Sequence, residues 1–439
     1  MLLSLSVTNW MSFRDEAILN MIATREKQHP HHVTHISPLD LKLLPIAAIY
    51  GGNASGKSNL IKAIRFVEQF ILNPPKPDAS IPIRPFRLEE GEDSRPTSFA
   101  ISILVEDSVY EYSFSLSTKK VLREELKRIG ASEERLFLRT DKPEDFYLSP
   151  KIQNGEEQKF AFRGTHDNQL FLSNSISQKL TEFKPVYDWF VHLQLIFPDS
   201  SFSLMRITRE GHPLHDKFVI RMRELDSGIA SFQQKKILPE DALSKALVET
   251  LSADLKEGET YDGLPWLPGI SLRKENGAIV GQRLTPMHRN ARGEEIPFDL
   301  EEESDGTQRL FDIVPAFLFL EEDRPRIFVI DELDRSLHAL LTRELLQRYL
   351  ALDRKEPSRA QLIFTTHDVS LLTQDLFRRD EIWVAERDQS GASKLVAFSE
   401  FSDVRRDKDI RKSYLQGRLG GIPRIRSIHR PCEEDAVAQ

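Results

Sequence analysis

Residues 46–58 constrain this chain more than any other stretch. Ile46 to Tyr50 form a continuous apolar run, and Gly51-Gly52-Asn53-Ala54-Ser55-Gly56-Lys57-Ser58 follows at once. From Asn59 to Leu72 the spacing turns helical, with Leu60, Ile64, Val67 and Ile71 on one face. A buried strand, a glycine loop and a helix in that order predict an α/β sheet. The octet fits G-x-x-x-x-G-K-[ST] in the strand–loop–helix setting that pattern requires. Its glycines let backbone N–H groups wrap phosphate oxygens, and the helix start adds a positive dipole end. Gly51 to Ser58, with Asn59, are therefore candidate nucleotide-binding residues. Lys57 would reach the β- and γ-phosphates, and the Ser58 hydroxyl would ligate Mg²⁺.

Composition sets the frame around that loop. The 439 residues exceed what one compact core usually holds, so two lobes or one domain with an insertion is expected. Sixty basic against 68 acidic residues leave a net charge of −8, which excludes a uniformly basic chain but not a local basic patch. Apolar residues at 40% are enough for a core. One cysteine, Cys432, cannot pair within the chain, which fits a reducing cytosol. No apolar run reaches the roughly 20 residues of a bilayer span, and the opening lacks the marks of a signal peptide. A cytoplasmic chain without membrane partners is expected.

Leu3, Leu5 and Val7 alternate with polar residues as a half-buried strand, and Ala17 to Ile22 reads as its return. Prolines 74, 75, 77, 82 and 85 mark a break, and Thr97 to Ser117 reads as a hairpin turning near Glu106 and Asp107. Residues 165–195 and 212–256 read as helical, with a strand near Leu193 and a loop around Leu238. Ser304 to Leu320 predicts a helix kinked near Pro315. Strands are expected at Arg326 to Ile330, Gln361 to Thr365, Glu381 to Ala385 and Lys394 to Phe398, with a helix from Ser336 to Leu352.

A second motif ends the strand at 326–330 in two carboxylates, Asp331 and Glu332, the Walker B form. Asp331 would hold Mg²⁺, and Glu332 would orient or polarise the attacking water. A third, Ser304-Asp305-Gly306-Thr307-Gln308, opens a helix 27 residues before Asp331. Together these motifs resemble the ABC-type ATPases of the SMC/RecF branch. In that family this signature belongs to the opposite subunit and caps the γ-phosphate. The usual run is Leu-Ser-Gly-Gly-Gln, so only Ser304 and Gly306 carry over, with Glu303, Asp305 and Thr307 at the other positions.

Leu333-Asp334-Arg335-Ser336-Leu337-His338 resembles the family's D-loop, with Asp334 or Ser336 as the expected N-cap of the next helix. Thr365-Thr366-His367-Asp368 resembles its H-loop, and His367 would contact the γ-phosphate. The opening LSVTNWMSFRD resembles the start of these ATPases, with Arg14 a candidate nucleotide contact. Tyr414 to Pro423 is similar to the tail of small ATPases from bacterial anti-phage operons of the PARIS and Rlo type and, more distantly, of OLD proteins. The resemblance covers about 1–72 and 296–425, and no Q-loop glutamine stands out.

The resemblance implies a P-loop ABC-type ATPase core of α/β class with a β-rich subdomain and a helical insertion. Its parts would be an N-terminal half-domain at 1–72, a β-rich extension at 73–160, a largely helical insertion at 161–295 and the rest of the ATPase at 296–439. Catalysis would fall to Glu332, Lys57 and His367, with Ser58 and Asp331 on the metal and Ser304, Gly306 and Asp334 completing the nucleotide site. ATP and Mg²⁺ would be the ligands, sandwiched in a homodimer or higher even oligomer that controls a separate effector protein encoded nearby. A DNA-repair or DNA-clamp ATPase of RecF or SMC type is the alternative, and a transporter subunit is disfavoured by the N-terminal strands.

Residues 403–430 hold nine Lys/Arg against three Asp/Glu, so nucleic acid is a possible partner. His29, His31, His32 and His35 lie in a polar loop without cysteine or paired carboxylates, which argues against a metal there. No acidic cluster of TOPRIM type follows the ATPase motifs, so no nuclease activity of its own is expected.

Overall fold

The computed structural model describes residues 1–91, 95–130, 132–152, 155–198, 205–208, 211–237, 255–261, 270–322, 324–352, 359–401 and 410–416. Two large sheets organise them. The first is antiparallel and joins β1 (Leu2–Thr8) and β2 (Ala17–Asn20) to five later strands. These are β6 (Thr97–Val105), β7 (Ser108–Leu116), β8 (Val121–Ile129), β9 (Glu133–Thr140) and β10 (Tyr147–Leu148), in the order β10-β9-β8-β7-β6-β1-β2. The β6–β7 hairpin turns at Glu106, whose φ of 53° gives the left-handed kink a tight turn needs. The β-rich stretch is thus continuous with the first strand rather than a separate extension.

The second sheet carries the motifs. Its order is β11 (Leu193–Ile196), β17 (Ile327–Ile330), β18 (Gln361–Thr365), β5 (Ile46–Tyr50), β19 (Ile382–Arg387) and β20 (Ser393–Ala397). All neighbours are parallel except β19 and β20. β5 from the N-terminal part therefore lies between β18 and β19 from the C-terminal part, so the two ends build one sheet. The middle of the chain also contributes, because β11 pairs with β17. Every residue of β5, β17 and β18 is buried, as parallel strands covered on both faces must be.

Alternate residues of these strands feed two cores. Ala47, Ile49, Val329 and Ile363 point into one core with the antiparallel sheet, α1 (Lys57–Leu72), α3 (Phe171–Ser177) and α4 (Lys184–Val191). Ile46, Ala48, Tyr50, Phe328, Ile330 and Phe364 point into the other. That core holds α5 (His215–Glu224), α6 (Asp305–Glu321) and α7 (Ala339–Leu350). Buried Gln361 ties the layers together: its side chain accepts from Leu2 N at 2.6 Å and donates to the carbonyls of Leu2 at 3.1 Å and Leu44 at 2.9 Å.

The expectation of a largely helical 161–295 holds through α5 and then fails. Ile229–Ile237 is strand β12, which pairs with β15 (Ala278–Arg289). β13 (Thr260–Tyr261) and β14 (Ile270–Glu275) extend that antiparallel sheet, and β16 (Glu295–Pro297) adds to β15. Ile229 and Leu284 pack this sheet onto Phe218 of α5 and Phe311 of α6. The stretch 238–254 lies outside the described residues. α6 runs on through Pro315, and α7 is capped by His338 rather than Asp334 or Ser336. Among the described residues, no helix is long and apolar enough to cross a membrane.

Candidate nucleotide site

The phosphate loop turns at the carboxyl end of β5, and its glycines are required sterically. A Cβ on Gly51 would lie 2.4 Å from the Ala385 carbonyl O, and Gly51 has φ of 154°. At Gly56, where φ is 110°, a Cβ would lie 2.4 Å from Ser393 Oγ. A polar strut supports the loop from behind. Ser393 Oγ donates to Ser55 O at 2.7 Å and accepts from Ser12 Oγ at 2.8 Å, and Asn59 Nδ2 donates to the same Ser12 oxygen at 2.8 Å. Asn59 thus braces the loop from α1, and Trp10 Nε1 donates to its carbonyl at 3.0 Å.

Lys57 curls back over the loop and donates to the carbonyls of Gly51 at 2.6 Å and Gly52 at 3.1 Å. Burial lowers its pKa, and the carboxylates of Asp331, Glu332 and Asp334 oppose that shift. Ser58 Oγ donates to Asp331 Oδ1 at 3.2 Å. Asp331 is 4% exposed, so a hydroxyl and a carboxylate converge as hard oxygen donors, the set Mg²⁺ prefers. The residues present therefore fit the ion.

Thr365, at the end of β18, links the Asp331 carboxylate to the Glu332 backbone. Its Oγ1 donates to Asp331 Oδ1 at 2.6 Å and accepts from Glu332 N at 2.8 Å. Glu332 itself sits at φ of 52°, a left-handed conformation that costs a non-glycine residue of order 1 kcal/mol and aims its side chain out of the strand. His367 Nε2 is 3.4 Å from Glu332 Oε1, and Asp334 accepts from His367 N at 3.2 Å. Buried Arg309 of α6 reaches behind this corner, donating to the carbonyls of Phe197 at 3.2 Å and Asp331 at 3.3 Å. Sequence reasoning missed Thr365 and Arg309. The polar threonine closing an apolar strand, three residues before Asp368, is the available signal for the first.

A cleft of roughly 1020 Å³ opens over the loop. Asn53 to Asn59, Glu332 and His367 line it, with Met11, Ile83, Phe86 and Leu88 as an apolar wall. Arg84, Arg87 and Arg387 add cations that the sequence did not mark. Arg14 is a correction: it does not line the cleft, and its guanidinium pairs with Asp15 at 3.0 Å and Glu89 at 2.8 Å.

The Ser304 and Gly306 pair lies elsewhere. Ser304 caps α6 by accepting from Thr307 N at 3.1 Å, and a Cβ on Gly306 would lie 2.7 Å from Ser336 O. Neither residue, nor Asp334, lines the cleft of its own chain. Of the basic run 403–430, only residues 410–416 are described, and Cys432 lies outside the described residues.

A strand–glycine loop–helix unit with two carboxylates on a nearby parallel strand is a P-loop ATPase fold. Residues 46–373 match the family described as "AAA domain, putative AbiEii toxin, Type IV TA system". The chain belongs to this family. Solved structures similar to this AAA-domain chain include the SMC head domain from Thermotoga maritima, at 14% identity and TM-score 0.38, over 90% of this chain and 98% of that one. Another is the Smc head domain with an extended coiled coil bound to the C-terminal domain of ScpA, derived from Pyrococcus furiosus. It matches at 13% identity and TM-score 0.39, over 90% of this chain and 96% of that one. No curated protein matches the AAA-domain chain.

Proposed function

We propose that this chain binds and hydrolyses ATP as an ABC-type ATPase whose two sites form between two copies of itself. One observation carries the reading: Lys57, Ser58, Glu332 and His367 line one cleft, with Asp331 hydrogen-bonded to Ser58 beside it, while Ser304 and Gly306 do not line it. A second copy would bring its α6 N-terminus, a hydroxyl-capped anion site, to the open side of the γ-phosphate.

Loop N–H groups hold the phosphates, and Lys57 leaves its loop carbonyls to meet them. Ser58 and Asp331 hold Mg²⁺, which neutralises phosphate charge when bound. Glu332 orients the water for in-line attack on the γ-phosphorus, and His367, within reach of Glu332, contacts the γ-phosphate. Closure around ATP and release after hydrolysis make the switch.

The switch acts on a separate effector in anti-phage defence, in the cytoplasm. The family's description as a toxin of Type IV toxin–antitoxin systems supports that setting, as does the resemblance to PARIS and Rlo ATPases.

Lys57→Ala should abolish ATP binding, while Glu332→Gln should bind ATP, fail to hydrolyse it and stay dimeric in light scattering. A Glu332→Gln form that stays monomeric in saturating ATP would refute the sandwich. Copurification of a neighbouring gene product tests the effector role, whereas steeply salt-dependent duplex binding without such a partner would favour a DNA clamp.

A further inference from the structure

Three histidines between β2 and the two-stranded sheet of β3 (Thr34–Ile36) and β4 (Leu41–Leu43), and a fourth, His35, within β3, do not line the nucleotide cleft. We infer that three of them, His29, His31 and His32, form a binding site for a divalent transition-metal ion, Zn²⁺ foremost. The carboxylate behind them is 349 positions away, so the loop by itself does not display it.

His29 takes φ of 45° just before the single helical turn Pro30–His32, which folds the three rings toward one another. One ligand nitrogen from each lies within 4.8 Å of those of the other two. His29 and His32 stack with centroids 4.8 Å apart and an interplanar angle of 12°, and His31 stands across both at 78° and 83°.

Two of the rings are oriented from outside. His29 Nε2 is 2.7 Å from the Gln374 carbonyl, which can only accept, so the proton sits on Nε2 and the lone pair on Nδ1. His32 Nδ1 faces both oxygens of Glu381, at 3.0 and 3.1 Å. A carboxylate or carbonyl fixing the far nitrogen is how metal-binding histidines are held. Glu381 is fully buried and also accepts from Arg378 N at 2.8 Å, so its position is built into the fold.

Zn–N bonds of about 2.1 Å put tetrahedral ligands about 3.4 Å apart, so the rings must close by at most about 1.4 Å. The exposed ring of His31 can supply part of that movement, and the stacked rings of His29 and His32 must turn so that their in-plane lone pairs converge. Three imidazoles select Zn²⁺, Ni²⁺, Co²⁺ or Cu²⁺ over Mg²⁺ and Ca²⁺, with solvent as the fourth ligand. Because His29 and His32 rest on Gln374 and Glu381, the ion would clamp the N-terminal loop onto the segment that connects His367 to β19.

The test uses full-length protein stripped with chelator and then given Zn²⁺ alone, with Co²⁺ as a spectroscopic probe. One ion per chain, a tetrahedral-type Co²⁺ absorption band and a higher melting temperature are expected. His31→Ala, at an exposed position, and His29→Gln should each lose the ion and the band. His35→Ala should keep both, since His35 pairs with Asp40 outside the cluster. Wild-type protein that takes up no Zn²⁺, or retention of the ion by either His31→Ala or His29→Gln, overturns the site.

Discussion

The fold buries Lys57 and satisfies it with the carbonyls of Gly51 and Gly52, and this has a measurable cost. Burial lowers its pKa below 10.5, so the unfolded chain holds the proton to higher pH than the folded one. Stability from this group therefore rises with pH in the window that ends at 10.5. Lys57→Met removes the titration. Measured by parallel thermal melts, wild type should gain on Lys57→Met as pH climbs from neutrality toward that limit; a constant gap would contradict the burial argument. Thr365→Val keeps shape but leaves Asp331 Oδ1 with Ser58 alone and strands Glu332 N, at about 1–3 kcal/mol. Its kcat should fall while the KM for ATP holds, because Thr365 touches the carboxylates and not the phosphate loop. At this scale the phosphate loop and both acids were legible, since the chemistry needs those residue types at fixed spacing. Thr365 and Arg309 were not, because their partners are atoms brought close only by the sheet.

Among the elements, two of the three strands buried on both faces match their sequence reading to the residue, and the third, Ile327–Ile330, to within one. Ile46–Tyr50 and Gln361–Thr365 are continuous apolar runs bounded by polar or glycine residues, and no helix of five residues competes with them. Ile229–Ile237 is different. Its Gln233, Gln234, Lys235 and Lys236 favour a helix locally, and only half of one face is covered, so its alternation is weak. Pairing with β15, some fifty residues later, overrides that preference. α6 shows what an element can do beyond carrying a motif. Its Ser304 end is capped and exposed, while one turn on Arg309 fixes the chain around Asp331. Asp312 lies 3.8 Å from Arg309, and both are buried. Arg309→Met should thus destabilise by about 3–5 kcal/mol, as loss of one member of a buried pair does. Denaturant melts measure that loss; hydrolysis should fall further than the population of folded protein explains, since the Glu332 backbone loses its support. A variant as stable as wild type would remove Arg309 from this role.

At the scale of the molecule, the sequence shows that two distant ends share one domain, but not how the strands interleave. β18 lies between β5 and β17, so the phosphate loop and the two acids approach across an intervening strand, where Ser58 Oγ reaches Asp331 Oδ1 and Thr365 of that strand donates to the same oxygen. The same geometry leaves the α6 N-terminus off the cleft of its own chain, which makes subunit exchange a direct test of the proposed sandwich. Lys57→Ala keeps an intact Ser304–Gly306 corner, and Ser304→Arg keeps an intact phosphate loop. Each alone should be inactive. Mixed together, they should form heterodimers in which one of two sites pairs a sound loop with a sound corner, and hydrolysis should return in proportion to the heterodimer present. A chain that completes its own site predicts the opposite: two dead proteins stay dead in any ratio, even where light scattering shows that they associate. Hydrolysis against mixing ratio therefore separates a site built by two copies from one built within a single chain, without reference to what the switch controls.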